Sequence, residues 1–261
     1  MRRVFFLVLA LLGSSLAQVH PGQAGVPVPS PVVEIDMAPS APVNAMSATD
    51  VQRSRVPEST LVSVSGLAVP ERARRELIKA NQLFARQNWA EARDRLKKAI
   101  LFYPSYAGAY NNLAIAYAHL GDADQAREAL EKAVALDDHL YVAQLNVGRV
   151  DIGQGKLPEA ETALNKAATL APQDPRAFIL LAYCQLLQKR FDDAIATSSQ
   201  AHKLAAPHAV AHRLAARAFE QKRQFDRAAN ELELLLQEEP VGPSSEAARK
   251  ELEIVEAAQH K

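Results

Sequence analysis

Seven histidines, one cysteine and a few adjacent acid pairs are the residues whose chemistry reaches beyond packing. His208 and His212 stand four apart, a spacing that puts two imidazoles on one helix face, where they can hold a metal ion. A zinc-protease helix also carries a Glu between its histidines, and none lies there in this chain. Metal binding is therefore not expected, and these two are read as surface histidines. Cys184 is the single cysteine, so no intramolecular disulfide forms, and no other ligand stands near it at metal-ligand spacing. It is read as a small buried apolar residue rather than a reactive thiol. Asp137-Asp138, Asp192-Asp193 and Glu238-Glu239 are adjacent in sequence and point in different directions on a helix. They read as loop or surface charges rather than a catalytic dyad. There is no Gly-rich phosphate loop and no Gly-x-Ser-x-Gly turn. The sequence thus assigns no catalytic residue, no cofactor and no metal, and an enzyme is not expected.

The elements that carry these residues read as helical. The chain has 261 residues, 48% hydrophobic but only 6% aromatic, so its apolar content is mostly Ala and Leu. That favours closely packed helices over a sheet, which would want Val, Ile, Tyr and Phe. Lys plus Arg equals Asp plus Glu at 30 each, and a balanced charge argues against nucleic acid as the partner.

The N-terminus reads as an address. Arg2 and Arg3 precede an apolar run from Val4 to Leu12, and Ser15-Leu16-Ala17 offers the small residues a signal peptidase reads. The run is about half the length of a spanning helix. A secretory signal over residues 1–17 is expected, with cleavage after Ala17, a secreted or periplasmic destination and no transmembrane span afterwards. An uncleaved anchor is the alternative. Residues 18–58 carry prolines at 21, 27, 29, 31, 39, 42 and 57, a density that erases any helical or strand period and reads as a disordered linker. In segment 59–72, Thr60 to Ser65 alternates polar and apolar, as one short strand or a packed extended stretch. Pro70 and Glu71 are placed to open a helix.

A repeat begins at residue 73. Ala92, Ala126, Ala160, Ala194 and Ala228 are each 34 residues after the last. Seven residues beyond them come Ala99, Ala133, Ala167, Ala201 and Leu235, and between the two columns lie Leu96, Leu130, Leu164, Ser198 and Leu232. Pro104, Pro172, Pro207 and Pro240 close most units. Five units follow without insertion: 73–106, 107–140, 141–174, 175–208 and 209–242. Apolar spacing at three and four residues marks two helices per unit. The small residues allow those helices to approach closely. Pro158 falls in a first turn, where proline is tolerated. After Pro240, Ser244 or Ser245 is placed to cap a last helix within 243–261, with Ala248, Leu252 and Val255 on its apolar face.

With Tyr110, Leu113, Ala114, Tyr117, Gly121, Ala126, Leu130 and Ala133 in its second unit, the chain resembles tetratricopeptide repeat (TPR) proteins of a secreted bacterial type. The third unit supplies Gly148, Gly155, Ala160, Ala167 and Pro172. Gln144 and Asp151 depart from the pattern where aromatics are usual, Lys189 and Arg223 where Gly is usual, and Ser198 where a bulky residue is usual. The resemblance implies an all-α, right-handed superhelical solenoid of five TPR helix-turn-helix units with a C-terminal capping helix. It also implies a concave groove lined by the first helix of each unit. Its polar members are Asn81, Asn111, Asn112, His119, Asn146, Arg149, Arg176, Tyr183, Arg213 and Arg217. Its apolar members include Leu77, Phe84, Ile115, Leu145, Ile179 and Leu187. The asparagine amides are expected to grip a peptide backbone and the arginines a carboxylate. One subgroup clamps the C-terminal carboxylate of chaperones. That pattern wants Lys at Leu77 and Val142 and Arg at Asn146, so only Asn81 and Asn112 fit and that function is rejected. The expected role is a non-catalytic scaffold or adaptor of the envelope or extracellular space with a protein or peptide partner. A self-associating structural component is the alternative, and either a monomer or weak self-association fits.

Overall fold

The computed structural model describes residues 69–204 and 209–259, which fold into eleven helices. The leader, the linker, the alternating segment at 60–65 and His20, His208 and His260 lie outside these residues. Ten helices pair in chain order. α1 (Glu71–Ala85) packs on α2 (Trp89–Phe102), α3 (Ala107–Leu120) on α4 (Ala123–Leu136), and α5 (Tyr141–Gly153) on α6 (Leu157–Leu170). α7 (Pro175–Leu187) packs on α8 (Phe191–Leu204), and α9 (Ala209–Gln221) on α10 (Phe225–Glu238). Each pair also touches the next, and α11 (Pro243–Gln259) closes the stack against α10 and α9. This is an all-α solenoid of stacked helix pairs with a terminal capping helix.

Local chemistry sets the helix ends. Asn88 Oδ1 accepts from the Glu91 amide at 3.3 Å, and its Nδ2 donates to Glu91 Oε2 at 3.0 Å, which starts α2. Asp174 caps α7 by accepting from the Arg176 amide at 3.0 Å, with Pro175 in the first turn. Pro158 sits in the first turn of α6. α11 begins at Pro243, so Ser244 and Ser245 lie inside its first turn and neither caps it; the Ser245 hydroxyl donates back to the Glu239 carbonyl instead.

The turn inside each pair repeats in backbone detail. Gln87, Gly121, Gly155, Lys189 and Arg223 have φ of 56°, 85°, 73°, 61° and 58°. The amide after each bonds five residues back, as in Asn88 to Leu83 at 2.9 Å and Arg190 to Gln185 at 2.9 Å. Left-handed backbone is strained for any residue with a Cβ, by about 1 kcal/mol or more. Lys189 and Arg223 carry that strain where the second and third pairs use glycine.

The repeating columns form the core. Ala92, Ala126, Ala160, Ala194 and Ala228 are all fully buried, and so are Leu96, Leu164 and Leu232. A facing column on the odd helices reads Ala80, Ala114, Gly148, Ala182 and Ala216. At Gly148 the approach is tighter than the others need, because a Cβ there would lie 2.4 Å from Leu164 Cγ. Ser198 occupies its leucine column buried, and its hydroxyl has no hydrogen-bond partner. Asp151, in an aromatic position, is fully buried and lies 2.8 Å from Arg127 Nε. Burial pushes its carboxyl up, and Arg127 opposes that only in part. At the end of the array, Ala248 and Val255 of α11 are buried on the last pair with Leu252 beside them. No described helix is long and apolar enough to cross a membrane.

Candidate functional site

The odd helices build one face. α3 also touches α5, α5 touches α7, and α7 touches α9, so the odd helices crowd together along the inner side of the stack. All ten polar groove residues expected from the sequence lie on them, and the structure divides them into two groups.

The four asparagines form a chain of amides. Asn146 Nδ2 donates to Asn111 Oδ1 at 2.9 Å, Asn111 Nδ2 to Asn112 Oδ1 at 3.1 Å, and Asn112 Nδ2 to Asn81 Oδ1 at 3.0 Å. Asn111 and Asn112 are fully buried and Asn146 nearly so; only Asn81 is half-buried. These amides join α1, α3 and α5 and face one another rather than the open groove. The apolar members behave likewise. Leu77, Phe84, Ile115, Leu145 and Ile179 are buried core residues, and Leu187 alone is exposed.

The remaining polar members are only partly buried and keep some exposure. Arg149, Tyr183 and Arg217 are each 34 residues apart on α5, α7 and α9, so they make one stripe across neighbouring helices. Burial raises the Tyr183 phenol and Arg217 draws it down, which places a guanidinium within electrostatic reach of that ring. Arg217 Nη1 lies 3.9 Å from Glu220. Burial nevertheless pushes the Glu220 carboxyl up to about 7; Arg217 counters this and Glu251 adds to it. Arg213 Nε approaches Glu251 at 3.4 Å, and its Nη2 donates to the Ser244 carbonyl at 3.3 Å. Arg176 donates to Asp174 Oδ1 at 3.0 Å and to the Tyr141 hydroxyl at 2.8 Å. Burial pushes the Asp174 carboxyl up, but the side-chain and backbone hydrogen bonds from Arg176 together outweigh it and hold that carboxyl below its ordinary value. His119 stacks flat on Trp89, with ring centroids 3.6 Å apart. Glu220 and Glu251 were not legible as groove acids from spacing alone. They face Arg217 and Arg213 among the last helices of the stack.

Cys184 is buried as expected, and burial pushes its thiol up to about 11, which keeps it unreactive. His212 is a correction. It is 6% exposed rather than a surface residue, with Nδ1 2.8 Å from Glu231.

Comparison with known proteins agrees with this geometry. Residues 105–173 and 151–201 match two models described as tetratricopeptide repeat. No curated protein matches the chain. Among solved structures, MamA (41 to its end) from Desulfovibrio magneticus RS-1 has 21% identity and a TM-score of 0.61, covering 66% of this chain and 98% of that one. YrrB, described as a TPR protein with an unusual peptide-binding site, has 21% identity and a TM-score of 0.56 over 68% of this chain and 92% of its own. The pilF protein of Pseudomonas aeruginosa has 23% identity and a TM-score of 0.63 over 73% and 86%. At these identities the likeness is one of fold. Proteins built from tetratricopeptide repeats generally serve as interaction scaffolds for proteins or peptides.

Proposed function

We propose that this TPR solenoid is a non-catalytic adaptor of the bacterial envelope or extracellular space that holds a peptide or protein segment along the inner face of its odd helices. The stripe of Arg149, Tyr183 and Arg217 carries the reading. It places one partly exposed, hydrogen-bonding side chain on each of three neighbouring helices. Packed helices lie about 8–10 Å apart and an extended chain rises about 3.3 Å per residue, so stripe residues would meet every third ligand residue. Arg176, Arg213, His119 and Asn81 flank that path. The asparagine chain supports the wall instead of touching the ligand. The envelope or extracellular destination rests on the secretory pattern of residues 1–17, and the proline-rich stretch would give the scaffold reach.

The test is a crosslinked pulldown from the envelope, comparing wild type with a variant carrying Arg149→Glu, Tyr183→Ala and Arg217→Glu, matched for helicity. A protein held by wild type and lost by the variant is expected. Equal capture by both would refute the inner-face assignment. Leu101, Phe102 and Leu136 stand exposed at the ends of even helices and favour a second reading, self-association through that side. A sedimentation mass that rises with concentration would support it.

A further inference from the structure

Where the last two helix pairs meet, a cluster stands that the inner face does not use. His202 comes from the final turn of α8, His212 from the first turn of α9, and Glu238 from the end of α10. One ring nitrogen from each histidine and one Glu238 oxygen lie within 4.8 Å of one another. Glu238 faces both rings, with Oε1 2.7 Å from His202 Nε2 and Oε2 3.4 Å from His212 Nε2. The two rings are 4.5 Å apart at 56°. His212 is held from behind by Glu231 Oε2, 2.8 Å from its Nδ1.

Nε2 of His212 is the informative atom. The side chain is 7% exposed, and Nε2 is buried without a hydrogen-bond partner. With Nδ1–H given to Glu231, a neutral ring turns its Nε2 lone pair toward the Glu238 carboxylate. Two acceptors facing each other inside a protein are unfavourable unless a proton or a metal ion lies between them, and at 3.4 Å the gap is long for a proton shared in a hydrogen bond but fits two ligands of one ion. A histidine whose second nitrogen donates to a carboxylate is the usual arrangement for a metal ligand, because the carboxylate fixes the tautomer and raises ring basicity.

We propose that His202, His212 and Glu238 bind a divalent transition metal ion of the zinc class, with Glu231 as the positioning residue for His212. Imidazole and carboxylate are the donors such ions take, at about 2.0–2.2 Å. Tetrahedral ligation at that length sets ligand atoms about 3.3 Å apart. Glu238 Oε2 stands at that span from His212, 3.4 Å, whereas Oε1 is the oxygen on His202, so the carboxylate must turn to present one oxygen to both rings. His202, at 2.7 Å from Glu238, must withdraw by a little over half an ångström, and it stands at a helix end with 30% of its side chain exposed. That exposed side gives the ion its entry and leaves a fourth position for water. The bound ion would tie α8, α9 and α10 together and so fix the fourth helix pair against the fifth. A second acidic-histidine group, Asp137, Asp138 and His139, is fully exposed in one loop, with no buried unpartnered atom aimed into it; it serves as the control.

The experiment uses the full chain, stripped with a chelator and titrated with Zn2+ by calorimetry and with Co2+ by visible absorption. One equivalent is expected, with the strong visible bands of low-coordinate Co2+ and a thermal midpoint that rises with Zn2+. His202→Gln and Glu238→Gln, both on partly exposed residues, should weaken binding at least a hundredfold while keeping their circular dichroism. Glu231→Gln should weaken it tenfold to a hundredfold without abolishing it. His139→Gln should change nothing. No saturable binding of either ion by the folded wild type would overturn the proposal. Undiminished one-to-one binding by the His202→Gln, Glu238→Gln double variant would overturn it equally, because the ion would then sit elsewhere.

Discussion

Replacing Gly148 with alanine should destabilise the protein, although alanine stands at the equivalent place in every other repeat. The new methyl would gain about 1 kcal/mol of helix propensity in the middle of α5. Against that, its carbon would lie 2.4 Å from Leu164 Cγ and 2.6 Å from Cδ2. Ordinary contact needs more than an ångström of additional room. Leu164 is fully buried in a cluster with Ala160, Ala167 and Cys184, so its side chain has nowhere to go. Overpacking of this kind costs about 1–3 kcal/mol, and with a contact this short the upper half of that range applies, leaving a net loss of up to about 2 kcal/mol. The sign should reverse once the obstacle is gone. Leu164→Ala alone should cost about 2–5 kcal/mol, and adding Gly148→Ala to it should recover about 1 kcal/mol. Urea denaturation followed by circular dichroism, with unchanged slopes, measures all four proteins. A more stable Gly148→Ala single variant would refute the reasoning, for it would mean that α5 and α6 separate freely to the distance alanine needs.

Other consequences are as direct. Lys189→Gly and Arg223→Gly should each stabilise by about 1 kcal/mol in thermal unfolding, because each replaces a strained left-handed residue. Asn111→Ala removes two amide bonds from the middle of the buried chain and should cost about 2–3 kcal/mol, whereas Asn81→Ala at its half-buried end should cost about 1 kcal/mol or less. Glu220 holds its proton up to about pH 7 in the fold, against an ordinary value of 4.5. The folded state therefore binds the extra proton, and stability should fall as pH rises from about 4.5 to 7, by about 3 kcal/mol in all. Glu220→Gln should flatten that slope and be the more stable protein at pH 8, as denaturation at pH 5 and pH 8 will show.

The pairing of helices was legible because one period of 34 residues carried the small and large apolar columns together, and those columns are the core. The inner face was legible only as a set of helices. Whether Asn111 looks into the groove or at Asn112 depends on how far α3 is rotated toward α5, which composition does not encode. The histidine cluster escaped for a related reason. A search by local spacing pairs His212 with His208, but its actual partners lie 10, 19 and 26 residues away on other helices. The repeat itself held a clue. Glu76 and Arg95 form an ion pair 19 residues apart in the first unit, and His212 with Glu231 occupies the same two positions in the fifth. Reading complementary charges at that offset, unit by unit, would have found the second pair from the first.

The asparagine chain has a further consequence. A repeat array faces an ambiguity that a globular domain avoids, since every unit offers nearly the same Ala and Leu surface to its neighbour. A chain could skip a unit, or two molecules could exchange ends, with little loss of apolar contact. Amides cannot be swapped so freely. Asn146 needs Asn111, and Asn112 needs Asn81, while the later units put Leu180 and Leu214 at the place of Asn112 and Asn146. A misaligned stack would press buried amides against leucine and strand their hydrogen bonds. The chain of amides thus works as a serial number, telling the first three units which neighbour is theirs.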